Sequence, residues 1–288
     1  MQDSGRLTWV RRSSRKTDAY PYGRLSGSVE FVEELTTNLE GGRQTDVIIL
    51  DFATAFDRVN HSLLVHKLQC YGITSTITWI ANFLSDQRQA VVVDSSCSSY
   101  ARVRSGVPQG SVLGPCLFLA YINDLPEKLT VLSRLFADDT AVYRVVYSGT
   151  DQVQLQQDLH RLMEWEESWD MLFHPAKCVS LPITRSRSPL DYSYKLHGHT
   201  LDPISSTKYL GITIQQDIDW DNHINNVANK ANRTLGFLQR NLKISSSAIK
   251  DRAYKAFVKP ILEYASLVLD PHTQKSIDKL EAVQRRAA

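Results

Sequence analysis

RLFADDTAVY, residues 134–143, sets two acidic side chains in the middle of an apolar run. Leu135, Phe136 and Ala137 lead in, Ala141, Val142 and Tyr143 lead out, and Asp138 and Asp139 stand between them. The flanks read as two short buried strands that meet at the acidic pair. Burying one ionised carboxylate is costly, and two adjacent ones also repel each other. Asp tolerates turn geometry, so the pair alone reads equally as a solvated hairpin tip.

A second stretch changes the balance. TDVIILDF, residues 45–52, is a continuous apolar run, the pattern of a strand buried on both faces, and it ends in Asp51. Alone, Asp51 suits a helix N-cap for the FATAF run that follows. Three carboxylates on adjacent strands would repel by about 4 kcal/mol per pair at 4 Å and an effective dielectric near 20. Either their pKa values rise or a divalent cation neutralises them. A site of Asp oxygens without His or Cys suits Mg2+, and two such ions roughly 3.5–4 Å apart clamp a phosphoryl group in transfer to a hydroxyl.

Outward from these strands the chain alternates helix and strand. Val29, Val32, Leu35 and Leu39 have helical spacing, closed by Gly41-Gly42. HSLLVHKLQCYG (61–72) predicts an amphipathic helix with Leu63, Leu64 and Leu68 inward, and 77–84 a second. QAVVVDSSCSSYARVRS (89–105) predicts a β-hairpin around a Ser-rich turn. SGVPQGSVLGP (105–115) reads as a loop opening a helix through LFLAYINDL. Residues 151–170 predict a long helix with Val153, Leu155, Leu159, Leu162 and Trp165 inward. Strands are expected around 178–183, 192–196 and 208–214, and helices from about Trp220 onward. The order is α+β followed by a helical unit.

Charge is distributed unevenly although the net is only +2. Residues 223–288 hold 12 Lys or Arg against 5 Asp or Glu, and residues 1–24 hold 6 against 2. Basic ends around an acidic middle suit a polyanion held beside a cation site; ordinary solvated faces would look the same. Cys70, Cys97, Cys116 and Cys178 have no C-x-x-C pairing and read as reduced, mostly buried thiols. No signal peptide or 18-residue apolar run is present, so the chain reads as soluble and intracellular, nuclear or cytoplasmic, with no membrane partner.

DVIILDFATAFDRV, SGVPQGSVLGP, LFADDTAVY and KYLGITI, in this order, resemble the palm motifs of reverse transcriptases. The resemblance is strongest to non-LTR retrotransposons of the chicken-repeat or jockey kind, and runs from about Asp46 to the C-terminus. It implies a polymerase right hand, with an antiparallel palm sheet packed on helices and a helical thumb. Residues 1–26 would be a disordered basic leader, 27–215 the palm with a remnant of the fingers, and 216–288 the thumb. Family members carry a longer fingers region and often an endonuclease upstream, so a retroelement fragment is expected.

The resemblance also implies site roles. Asp51, Asp138 and Asp139 would hold two Mg2+ ions, with Mn2+ a substitute, and the Phe52 carbonyl would add a contact. Phe56 falls where an aromatic gate excludes the ribose 2′-hydroxyl; its plain alternative is a core residue. Pro108, Gln109 and Gly110 would meet the incoming deoxynucleoside triphosphate and the template base. Lys177, in HPAKC, matches a Lys that protonates the pyrophosphate leaving group, although His174 replaces the usual Asn. Tyr209, Leu210 and Gly211 resemble the primer grip, with Leu210 suited to the core. Asp57 and Asn60 recur in the pattern, where capping and packing suffice for them. Arg233, Arg240, Lys243, Lys250, Lys255 and Lys259 would track the backbone of an RNA template paired with a DNA primer. The implied activity is RNA-directed DNA synthesis; the alternative is a catalytically inactive module that binds nucleic acid.

Overall fold

The structure, a computed structural model, describes residues 24–85, 87–243, 246–264, 266 and 273–287. Most of the expected leader, residues 1–23, lies outside them. Helix α1 (Arg24–Glu40) already begins inside the expected leader and ends at Gly41-Gly42 before strand β1 (Gln44–Leu50). Then come α2 (Ala55–Arg58), α3 (His61–Cys70) and α4 (Ile77–Leu84). Four two-residue strands form the expected hairpin: β2 (Arg88–Gln89) pairs with β5 (Ala101–Arg102), and β3 (Val92–Val93) with β4 (Ser96–Cys97). Helix α5 (Leu113–Ile122) leads to strands β6 (Leu132–Phe136) and β7 (Asp139–Val146), and the long helix α6 (Gly149–Trp169) follows. Strand β8 (Val179–Ile183), the short strands β9 (Lys195–Leu196), β10 (His199–Thr200) and β11 (Asp202–Pro203), and the pair β12 (Ser206–Tyr209) and β13 (Ile212–Gln215) complete the mixed part. Helices α7 (Asp221–Asn241), α8 (Ser247–Phe257), α9 (Lys259–Glu263) and α10 (Gln274–Ala287) follow.

The main sheet has the order β11-β8-β1-β7-β6, antiparallel except that β11 runs parallel to β8. β1 lies at its centre, and its Val47–Leu50 run is apolar because both faces are covered, while its buried Asp46 accepts from Gln44, Gln152 and Tyr194. Ile48 and Leu50 join Val142 in a core with Leu64, Leu68, Phe118, Leu155, Leu159, Leu162 and Trp165. Val47 joins Ala141, Tyr143, Leu181 and Ile183 in a second core, under Phe31, Leu35 and Leu39 of α1 and Ile212 and Ile214 of β13. A fully buried aliphatic side chain contributes about 1.5–3 kcal/mol, so this centre holds the sheet rigid. A third cluster, of Ala228, Ala231, Leu235, Val258 and Val283, packs the C-terminal helices. The fold is the expected α+β arrangement of an antiparallel palm sheet followed by helices.

Several local expectations change. KYLGITI is a hairpin instead of one strand, because Leu210 and Gly211 both take positive φ (49° and 84°) and turn the chain between β12 and β13. Only Lys195–Leu196 of the 192–196 segment is strand. Val153 faces solvent; the inward places beside it belong to Gln152 and Gln156. Gln152 donates to Asp46 and to the Leu190 carbonyl, and Gln156 to the Lys195 carbonyl. Leu63 is half-buried while Lys67 is buried in its stead. Of the four free thiols, Cys70, Cys97 and Cys116 are exposed and only Cys178 is buried.

Candidate active site

The β1–β7 ladder ends with Leu50 opposite Thr140, and the next residues outward are Asp51 and Asp139. Directly opposed residues of an antiparallel pair lie about 4.5–5.5 Å apart at Cα. The β6–β7 hairpin closes with Phe136 opposite Asp139, so Ala137 and Asp138 form a two-residue turn. Ala137 takes φ 52°, the left-handed conformation such a tight turn requires at its first position. The three carboxylates therefore stand at one end of the neighbouring strands β1 and β7 and in the β6–β7 turn, each half-buried.

A second segment locks this end. The Asp51 carbonyl accepts a hydrogen bond from the His174 amide (2.7 Å), and the Ala53 amide donates to the Leu172 carbonyl (2.8 Å). Between those bonds Phe52 faces Phe173 as an isolated bridge, their rings stacked at 4.3 Å. The bridge does not consume the Phe52 carbonyl. A 3-10 turn, Pro175–Lys177, then brings Lys177 Nζ to 3.1 Å from Asp51 Oδ2. Both side chains are substantially exposed, so this pair contributes no more than about 1 kcal/mol. The Asp51 amide meets Cys178 Sγ at 3.5 Å. Burial pushes that thiol up to about 11, keeping it neutral beside the carboxylate.

The SGVPQG loop docks on α2. Gly106 N donates to the Val59 carbonyl and Val107 N to the Phe56 carbonyl, each at 2.8 Å. Ser105 Oγ donates to the Asp57 carbonyl (2.9 Å), and the Gly106 carbonyl lies 2.7 Å from His61 Nε2. Gln109 is exposed, and its amide donates to Asp57 Oδ1 at 2.9 Å. Asp57 thus aims Gln109, in addition to packing; its recurrence in the motif was the available signal. Gly110 has φ +82° with open space around it, while Gly106 and Gly114 make the close approaches. A Cβ on Gly114 would lie 2.5 Å from the Pro108 carbonyl. Phe56 is half-buried and stacks on Phe118 at 4.4 Å. Asn60 caps α3, accepting from Ser62 N and Leu63 N.

The remaining residues divide. Tyr209 and Leu210 are buried, Tyr209 against Phe31, so their side chains serve the core, and the half-buried Gly211 lies against the Tyr264 ring. The Leu210 carbonyl accepts from Tyr264 Oη at 2.7 Å. Arg233, Arg240, Lys243, Lys250, Lys255 and Lys259 are all exposed on α7, α8 and α9 or the link between them. Lys255 pairs with Asp251 and Lys259 with Glu263 along their own helices.

Among the described residues no three His, Cys, Asp or Glu side chains are gathered into a closed metal cage. Mg2+ usually takes only one or two carboxylates and completes its shell with water and substrate phosphate. Half-buried Asp oxygens, one already drawing an ammonium to itself, have the chemistry such an ion requires.

The family model described as reverse transcriptase (RNA-dependent DNA polymerase) matches residues 7–214. The chain belongs to the reverse transcriptase family. The match begins upstream of the Asp46 at which the motifs start and reaches into the basic leader. Such enzymes normally use divalent metals. The chain is 29% identical over 252 residues to the RNA-directed DNA polymerase from mobile element jockey of Drosophila melanogaster, covering 82% of this chain and 27% of that protein. It is 27% identical over 303 residues to the probable RNA-directed DNA polymerase from transposon BS of the same fly, covering 99% and 33%. The chain thus spans about a quarter to a third of the length of these non-LTR retrotransposon relatives. Its fold is similar to apo telomerase from Candida tropicalis, with a TM-score of 0.51 at 12% identity, covering 91% of this chain and 45% of that one. Among the described residues no helix is long and apolar enough to cross a membrane.

Proposed function

We propose that this chain is the RNA-directed DNA polymerase domain of a non-LTR retrotransposon, joining deoxynucleotides to a primer 3′-hydroxyl on an RNA template. The observation that carries the proposal is the placing of Asp51, Asp138 and Asp139 at one end of the central strands. Residues 27–215 act as palm with part of the fingers, and 216–288 as thumb. Asp51 and Asp138 hold two Mg2+ ions, or Mn2+ in their place, with Asp139 completing the set and the Phe52 carbonyl an added contact. When bound, these ions activate the attacking hydroxyl as Lewis acids and neutralise charge on the phosphates.

The chain's own groups do the positioning. The Phe56 ring, backed by Phe118, excludes a ribose 2′-hydroxyl and selects deoxynucleoside triphosphates. Gln109, aimed by Asp57, hydrogen-bonds nucleotide or template base, with Pro108 and Gly110 shaping the loop. As the primer oxygen bonds to the α-phosphorus and the α–β bridge bond breaks, Lys177 Nζ gives a proton to the departing pyrophosphate oxygen. The hairpin turn at Leu210-Gly211 and the exposed cations of α7–α9 support the template–primer duplex.

The same exposed cations favour a second reading, a catalytically inactive module that binds nucleic acid. Primer extension on poly(rA)·oligo(dT) with Mg2+ separates the two. The polymerase reading expects extension by the wild type and a loss of about 10^3-fold or more in Asp138→Ala, equivalent to roughly 4 kcal/mol of transition-state stabilisation. Salt-dependent duplex binding without any extension would leave the second reading standing.

A further inference from the structure

Glu166, on the last turn of α6, is a fully buried carboxylate to which no role has been given above. Its Oε1 accepts a hydrogen bond from the backbone amide of Phe173, and its Oε2 lies 2.7 Å from His197 Nε2. His197 sits in the β9–β10 turn with φ 50°, and its own amide meets Met163 Sδ at 3.1 Å, so this one residue ties the turn to α6 twice, beside the Gln156 bonds to Lys195. A carboxylate buried here costs more than a Leu of similar size would, and burial raises its pKa accordingly. A purely apolar role for this position would not call for it.

What the carboxylate holds is informative. Phe173 is the residue that faces and stacks on Phe52, and its neighbours Leu172 and His174 make the two hydrogen bonds that fix Ala53 and Asp51. Three residues further on, the same segment carries Lys177 to Asp51. At the amide of Phe173, α6 grips this segment through a carboxylate acceptor.

We infer that Glu166 is a positioning residue for Asp51: by accepting from the Phe173 amide it sets the 172–177 segment, and through it the backbone of Asp51 and the reach of Lys177. His197 is its outer support. The inference rests on the proposed role of Asp51 as a cation ligand, and its test keeps the two apart.

The test compares two neutral, nearly isosteric replacements, E166Q and E166L, in the full chain. Both remove the charge, but only Gln can accept from the Phe173 amide while still meeting His197 through its NH2. Mn2+ binding is followed by electron paramagnetic resonance, counting only the component lost in D51N, and exchange of the Ala53 and His174 amides is followed alongside. E166Q is expected to stay within about 3-fold of wild type in both measurements. E166L is expected to bind Mn2+ at least about 10-fold more weakly and to exchange those two amides at least about 10-fold faster, with Ile48 and Val142 unchanged. Equal values for E166Q and E166L, whether retained or lost, overturn the inference while leaving the Asp51 reading intact. Mn2+ binding that D51N does not alter overturns the Asp51 reading, and this inference with it. Should E166L fail to fold, E166A, which leaves room for water, takes its place in the same comparison.

Discussion

Replacing Gly106 with Ala tests how tightly the SGVPQG loop is docked, and Gly110→Ala supplies the internal control. Both glycines have positive φ, +92° and +82°, so Ala at either costs roughly 1–2 kcal/mol of backbone strain. They differ in surroundings. A Cβ on Gly106 would lie 2.8 Å from Asp57 Cα and 2.9 Å from the Asp57 and Phe56 carbonyl oxygens, whereas nothing stands within 4 Å of one on Gly110. Gly106 cannot move aside, since its amide is bonded to Val59 and its carbonyl to His61. Forcing a methyl into packed backbone costs about 1–3 kcal/mol more. G110A should therefore lose about 1–2 kcal/mol and G106A about 2–5, read as denaturation midpoints at constant slope. The docking argument fails if the two variants lose the same amount, or if G106A loses less than about 1 kcal/mol.

Other consequences concern the core and the proposed gate at Phe56. Lys67 Nζ is buried, 2.7 Å from Asp124 Oδ1 and 3.4 Å from the centre of the Trp169 ring, so K67M should cost about 3–5 kcal/mol by equilibrium unfolding. Adding D124N should recover part of that loss; no recovery would mean that the pair is not what Lys67 serves. Burial holds the Lys67 pKa below 10.5, so the unfolded chain binds the extra proton between the lowered value and 10.5. Relative to K67M, wild-type stability should therefore rise with pH across that window and level off above 10.5, as pH-dependent melting would show. In an extending preparation, Phe56→Ala should reduce discrimination against ribonucleotides by about 10-fold or more; unchanged selectivity would remove Phe56 from the gate.

The parts of this molecule legible in the sequence are those where one physical requirement dominates a contiguous segment. TDVIILDF reads as a doubly covered strand because its middle, Val47–Leu50, is apolar without alternation, and the structure covers it from both sides. The FADD stretch reads as a hairpin because two strand-like flanks leave only Asp138 and Asp139 between them, and the structure sets the turn one residue earlier, at Ala137-Asp138, because Asp139 pairs with Phe136. Long-range polar contacts leave no such trace. Lys67 looks like the wet face of α3 until Trp165 and Trp169, about a hundred residues later, close an aromatic wall around it. Gln152 and Gln156 displace Val153 from the inward face of α6 because they satisfy the Asp46 carboxylate of β1 and the Lys195 carbonyl of β9, both distant in sequence. Gly106 carries no visible mark of its contact with Asp57, since a glycine with positive φ looks the same whether its surroundings are open or filled.

Thiophilic metal rescue at the FADD turn addresses the central claim, that Asp138 holds a catalytic cation, most directly. Cys in place of Asp138 presents a soft thiolate, which binds Mn2+ better than Mg2+. In primer extension the wild type is predicted to work with either metal, and D138C to be lowered by about 10^3-fold with Mg2+ and at least partly restored with Mn2+. Full activity of D138C in Mg2+ would contradict the account, as would a wild-type chain inert with both metals.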